Sequence, residues 1–133
     1  MSIRKDQYRI DVQENLHLLV FHKSLNIGKG VALSLYINDF EFLKFDCFGV
    51  NEGHYHLYDK IKSELIYFDE KTCEEQINKS YNELCNNIDY YLLKSNNNDI
   101  KNFTIDIYIF RDKLEIAKNK MLEYENKYYA EFR

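Results

Sequence analysis

Residues 44–58 read KFDCFGVNEGHYHLY. Two short runs of alternating apolar and polar residues flank a loop bounded by Gly49 and Gly53, the pattern of a β-hairpin with half-buried strands. With a loop of five residues, Gly49 to Gly53, Phe48 pairs with His54, Asp46 with His56 and Lys44 with Tyr58. Those six side chains then share one face, and Leu43, Phe45, Cys47, Tyr55 and Leu57 line the other. The hairpin predicts a sheet with one greasy side and one mixed side.

Upstream, β-branched and aromatic runs predict strands near 16–23, 30–37 and 40–48, followed by 54–58 and 64–68. The connections are short, so the strands join in order as an antiparallel meander. The polar residues before Leu16 suit an edge strand or a loose arm, and the glycines of GKG at 28–30 read as a turn. The Asn38-Asp39 connection sets how the halves of the sheet match. A two-residue turn would put Val31, Leu33 and Leu35 on the histidine side. A three-residue loop from Ile37 to Asp39 puts them on the greasy side, with Ser34 and Tyr36 beside Lys44 and Asp46. The second register gives one continuous apolar face and is the expected one; it also places Phe42 on the mixed side.

From Asp69 onward the apolar period lengthens to that of a helix. Thr72 and Glu75 have the spacing of a capping box, and Cys73, Ile77, Tyr81, Leu84, Cys85, Ile88 and Leu92 recur on one face. A helix over about 70–94 follows, then a loop at SNNND, 95–99. The next segment, about 99–132, fits two templates. Ile100, Phe103, Ile107, Phe110, Leu114, Ala117, Met121, Tyr124 and Tyr128 form a heptad seam, while FTIDIYIF at 103–110 also alternates as a strand would. The nine seam positions favour one long helix. Such a helix would outrun strands of ~17–20 Å, so its overhang calls for a partner such as a second copy of the chain. The tail YENKYYAEF, with Tyr124, Tyr128, Tyr129 and Phe132, is either packing or an exposed anchor. The predicted architecture is a single α+β domain over 1–133: a meander of four to five strands covered on its greasy face by two C-terminal helices.

Composition bounds the function. At 133 residues, with 45% hydrophobic and 16% aromatic content, the chain is long and apolar enough to fold without staples. No apolar run approaches the ~20 residues of a membrane span, and the amino terminus lacks the unbroken apolar stretch of a signal peptide, so a cytoplasmic location is expected. Cys47, Cys73 and Cys85 are odd in number and lack CxxC spacing, which predicts reduced thiols. A net charge of −4 with interspersed signs offers no basic stripe, so direct nucleic-acid binding is not expected. Abundant Lys, Asn, Tyr and Ile match AT-rich codons, pointing to a low-GC bacterium or its phage.

The mixed face is where chemistry could sit. His54 and His56, at i and i+2 on one strand, point the same way and can hold a divalent metal such as zinc or manganese with Asp46 as third ligand. Without metal, Asp46 could orient His56 as a general base, with Tyr36, Lys44 or Tyr58 stabilising negative charge. The plainer alternative is a wet sheet face, or a binding face made by Asn51, Glu52, His54, His56 and Tyr58. Cys47 falls on the side away from the histidines and reads as core.

LKFDCFG at 43–49, GHYH at 53–56 and a helix opening with EEQI at 74–77 resemble a small uncharacterised bacterial domain family with a comparable FDCFG and GHYH hairpin. The resemblance runs from Val31 to Leu92 and implies a shared hairpin and helix, with no catalytic residue to carry over. In the absence of a complete catalytic motif, the expected function is a small acidic interaction protein without cofactor. It would bind and inhibit a protein partner, as an immunity protein or a phage anti-defence protein does. The alternative is a small hydrolase acting on a phosphodiester or other ester through Asp46, His54 and His56.

Overall fold

A computed structural model describes residues 3–25 and 28–131. Its sheet has six strands in sequence order: β1 (Ile3–Gln13), β2 (Leu16–Leu25), β3 (Gly28–Ile37), β4 (Phe40–Cys47), β5 (His54–Leu57) and β6 (Glu64–Tyr67). Every neighbouring pair is antiparallel, so the meander stands. The strand count exceeds the expected four to five because the polar N-terminal segment is the edge strand β1. Polar side chains suit an edge, and Ile10 and Val12 at its far end still reach the core. The GKG glycines belong to β3 and not to a turn: Gly28 faces Leu25 and Gly30 faces Lys23, while 26–27 lie outside the described residues. A Cβ on Gly30 would stand 2.6 Å from the Cys47 carbonyl oxygen, so glycine there lets two backbones approach.

The Asn38-Asp39 connection is a two-residue turn with both residues at positive φ, 51° and 63°. It nevertheless yields the expected faces, because Leu35 pairs with Leu43 and Tyr36 with Glu41, leaving Phe42 as an extra residue in β4. The bulge restores the parity that the short turn alone would have reversed. It also turns Phe42 into the core, where it is fully buried, in place of the mixed face.

Helix α1 (Cys73–Lys94) opens at Thr72, whose Oγ1 accepts from the Glu75 amide at 3.1 Å and donates to Glu75 Oε1 at 2.9 Å. Its buried stripe is Gln76, Ile77, Ser80, Leu84, Ile88, Tyr91 and Leu92, with Cys73, Tyr81 and Cys85 half-buried at the margin. The ambiguous segment is neither one helix nor a strand. A single turn, α2 (Asn98–Lys101), is followed by irregular backbone at 103–106 and then by α3 (Ile107–Glu131). The side-chain amide of Gln13 spans the break, donating to the Thr104 carbonyl at 3.0 Å and accepting from the Asp106 amide at 2.9 Å. Asp106 then caps α3, its Oδ1 accepting from the amides of Tyr108 and Ile109.

The seam survives this interruption. Ile100, Phe110, Leu114, Ala117, Met121, Tyr124 and Tyr128 are buried in one core with Leu18, Val20, Leu33, Leu35, Leu43 and Phe45. The expected overhang does not arise. A helix of 25 residues spans ~37 Å, and strands of 10 and 11 residues span ~33–37 Å, so α3 lies along β1–β3 through Tyr128. Tyr124 donates to the Asp6 carbonyl at 2.7 Å, Tyr128 bonds the Asp6 carboxylate, and the Tyr128 ring stacks on His22. The side chains of Tyr129 and Phe132 lie outside the described residues. Among the described residues, no helix is long and apolar enough to cross a membrane.

Candidate functional site

Helices α1 and α3 cover the greasy face, and among the described residues no helix lies on the mixed face. That bare face still buries Phe21, Ala32, Ser34 and Asp46 completely, because long side chains fold over it: the Arg4 guanidinium lies 4.4 Å above the Phe21 ring. Burial of charge without a covering layer is the feature that singles out this face.

At its centre is Asp46. The ladder pairs Asp46 with His54 and Lys44 with His56, two residues away from the expected register. The loop is longer than five residues. Gly53 N–H bonds the Gly49 carbonyl at 2.9 Å, and Cys47 and Phe48 are drawn out of the β4–β5 ladder. A shift of two keeps parity, so the faces are as expected. Four nitrogens converge on one oxygen, Asp46 Oδ2: His54 Nε2 at 3.1 Å, His56 Nε2 at 3.6 Å, and Lys23 and Lys44 Nζ at 3.8 Å each. None is an aligned hydrogen bond. Among the described residues, neither Asp46 carboxylate oxygen has a hydrogen-bond partner.

Burial alone would raise the Asp46 carboxyl, but the adjacent His54 and His56 and the charges of Lys44 and Lys23 outweigh it and hold the group far below the carboxylate range. In return, Asp46 raises His54 against the opposing effect of burial. Lys23 is lowered, chiefly by burial. The tautomer of His54 follows from its other nitrogen, which lies 2.7 Å from the Glu52 carbonyl oxygen. A carbonyl can only accept, so Nδ1 carries hydrogen and a neutral His54 would turn a bare lone pair toward the carboxylate. Two acceptors at 3.1 Å need a proton or a cation between them.

The predicted residues divide between two places. Asp46, Lys44, His54 and His56 meet, with the Tyr58 ring stacked on His56 at 5.2 Å and its hydroxyl pushed up to about 12 by burial. Asn51 and Glu52 flank His54 in a small cleft of about 150 Å³ with Phe48 and Tyr67. Tyr36 lies elsewhere. Its hydroxyl accepts from Arg4 at 3.0 Å and donates to Glu41 at 2.9 Å, beside an open cleft of about 440 Å³ lined by Phe40, Tyr58, Asp59 and Ser63. Tyr36 therefore belongs to a separate network. Cys47 is on the core side as expected, its sulfur 3.5 Å from Ser80 Oγ and its thiol pushed up by burial.

Sequence reasoning missed Lys23, Arg4 and Glu41. The signal for Lys23 was present in the small residues Gly30 and Ala32 of β3, which leave a lane from β2 to β4. Glu41 was hidden by the Phe42 bulge, which puts it on the face opposite to the expected one, and Arg4 by the N-terminal segment standing open between an edge strand and an arm. Their ion pair gives a pH dependence. Burial raises Glu41, but bonds from Arg4, Ser34 and Tyr36 prevail and hold it below its ordinary value. A depressed carboxyl contributes stability in full above its unfolded value of ~4.3 and loses it as pH falls through the folded one. The stability gap between wild type and Glu41→Gln is therefore expected to be constant at neutral pH and to close in acid. Urea unfolding at a series of pH values checks this; a gap independent of pH refutes it.

The rim at β5 and β6 completes the site. Leu65 and Tyr67 pair with His56 and His54 on the edge strand and are 49% and 62% exposed. Val50 and Ile61, in the flanking loops, are exposed as well.

Fold and site together define an open-faced α+β domain with a two-histidine, one-carboxylate cluster on the bare side of its sheet. The chain belongs to the DUF7700 family, a domain of unknown function, whose family model matches residues 12–120. That span takes in β2 through much of α3, well beyond Leu92, where the hairpin resemblance stopped. No curated protein and no solved structure matches the chain.

Proposed function

We propose that this domain is a small interaction protein of the inhibitor or immunity type that engages a protein partner through the β5–β6 edge of its bare face. The carrying observation is the exposure of Leu65 and Tyr67 beside His54 and His56 on an edge strand. Apolar side chains next to unpaired strand backbone are what a partner can bury, and imidazoles, Asn51 and Glu52 supply a polar rim. The three free thiols fit a reducing cytoplasm. Self-association through α3 gets no support from its seam, which the sheet occupies.

The test is quantitative capture from cells of the source organism with three immobilised proteins: wild type, Leu65→Lys/Tyr67→Lys and Tyr108→Lys. Tyr108 is a control because it is 80% exposed at the start of α3, near Gln13 of β1 at the opposite edge of the sheet. A partner captured near stoichiometry by wild type and Tyr108→Lys, and lost by the edge variant, supports the reading. Equal capture by all three, or loss with Tyr108→Lys alone, rejects it.

The hydrolase reading has its own support in the convergence of Asp46, His54, His56 and Lys44. A phosphodiester reporter assay comparing wild type with His54→Ala/His56→Ala addresses it: equal turnover by the two proteins removes it.

A further inference from the structure

We propose that Asp46, His54 and His56 form a binding site for one divalent ion of the zinc type, with an anionic ligand completing its coordination beside Lys23 and Lys44. This goes beyond the partner-binding reading and does not depend on it.

The donor set comes first. The three ligand atoms lie within 4.8 Å of one another. Tetrahedral coordination with bonds of ~2.0–2.1 Å has ligand–ligand edges of roughly 3.3–3.4 Å, and the two nitrogen–oxygen separations, 3.1 and 3.6 Å, bracket that value. Imidazole and carboxylate are what a borderline ion of this kind takes, and the mixed set argues against calcium or magnesium, which ask for oxygen throughout.

The second observation is independent of residue type. Asp46 has a fully buried side chain, and neither of its oxygens has a hydrogen-bond partner among the described residues, although it is aimed at two imidazoles. Its ionic neighbours offset its charge but leave its lone pairs without a hydrogen bond, a place that a bound ion would fill. The third is the orientation of His54. Its Nδ1–H is spent on the Glu52 carbonyl, which fixes the ring and directs the Nε2 lone pair at the cluster. That is the outer hydrogen bond found behind metal-ligating histidines. His54 and His56 keep 20% and 23% side-chain exposure, so an ion can enter from the bare face.

The lysines decide what else binds. At 3.8 Å from Asp46 Oδ2 they are close enough to repel a divalent ion and too far to satisfy the oxygen by hydrogen bonding. One carboxylate cannot balance a divalent ion and two ammoniums. The remaining position therefore takes an anion, such as a carboxylate or hydroxide, which the ammonium groups hold.

The experiment uses the full chain without a histidine tag, stripped with a chelator and dialysed. Zn²⁺ uptake is read by calorimetry and Co²⁺ uptake by its visible absorption, for wild type, His56→Ala, His54→Ala/His56→Ala and the control His17→Ala. Expected are one ion per chain, intense tetrahedral cobalt bands, and unchanged binding in His17→Ala. Loss of one ligand is expected to weaken binding at least about 100-fold, since even an outer-shell partner is worth ~10–100-fold. Sodium acetate should shift the cobalt spectrum of wild type and not that of Lys23→Met/Lys44→Met; an equal shift in both overturns the role given to the lysines. Circular dichroism checks each variant, with His54→Gln/His56→Gln as a second pair. The proposal fails if folded wild type takes up no ion, or if the paired-histidine variants bind as tightly as wild type.

Discussion

Replacing Asp46 by Ala is expected to cost about 3–5 kcal/mol in the chelator-treated protein, the range for removing one partner from a buried ion pair. The carboxylate is inaccessible, and the side chains of Lys23 and Lys44 are 8% and 9% exposed. Without Asp46, two ammoniums that already repel each other stay on a sheet face with no negative charge in contact among the described residues. The cost comes chiefly from the uncompensated cations, since the two lysine approaches are 3.8 Å long, with the 3.1 Å approach of His54 lost as well. A rescue follows from this. The triple variant Asp46→Leu/Lys23→Met/Lys44→Met removes all three charges and is expected to recover most of the loss, because well-packed apolar replacements of buried ion clusters are often neutral or stabilising. Urea unfolding with unchanged slope measures both variants. A loss below about 1 kcal/mol in Asp46→Ala, or a triple variant no better than the single one, would show that the buried charges are not coupled as drawn.

That cluster was half legible in the sequence, and the reason is parity. Side chains alternate along a strand, so the error of two residues in the β4–β5 register moved Asp46 from opposite His56 to opposite His54 without changing its face. The same rule hid an error at the other hairpin. There the two-residue turn and the Phe42 bulge cancelled, and the predicted faces emerged from a different backbone. Bulges leave little trace in composition; Phe42 looks like any alternating residue. The break between α2 and α3 was illegible for another reason, because the side chain that bonds its backbone, Gln13, lies 91 and 93 positions away in sequence. A heptad seam reports which side chains are buried, and it did so here for seven of its nine positions, with Phe103 and Ile107 at the break only partly buried, but it does not report whether the backbone between them is continuous. Lys23 lay out of reach of any hairpin argument, since it crosses β3 to meet Asp46 on β4.

Gln76 is the second residue whose loss should be large, with Gln76→Leu expected to cost about 3–5 kcal/mol from one orphaned buried amide at ~1–3 and two lost hydrogen bonds at ~1 each. It is 1% exposed in the first turn of α1 and acts as a clamp. Its Oε1 accepts from the Gly49 amide at 2.9 Å, and its Nε2 donates to the carbonyls of Gly49 and Glu70, each at 2.9 Å. The Gly49 carbonyl would keep its bond from Gly53 N–H, but the Gly49 amide would have nothing, in a leucine variant of similar size. Gly49 itself sits at φ 92°, so the loop cannot readily relax to find another acceptor. Gly53 is held as closely: a Cβ there would fall 2.1 Å from Gln76 Oε1. The clamp matters for the site because the loop it secures carries Glu52, whose carbonyl fixes the His54 ring. Gln76→Glu separates the roles of the amide. It keeps an acceptor for Gly49 N–H but turns carboxylate oxygen toward two carbonyls, so it should be at least as damaging as leucine at neutral pH and recover in mild acid as the carboxyl gains a proton. Unfolding curves at two pH values distinguish the variants, and a Gln76→Leu protein within about 0.5 kcal/mol of wild type, the usual range for inconsequential surface changes, would mean that the loop is held by something other than this side chain.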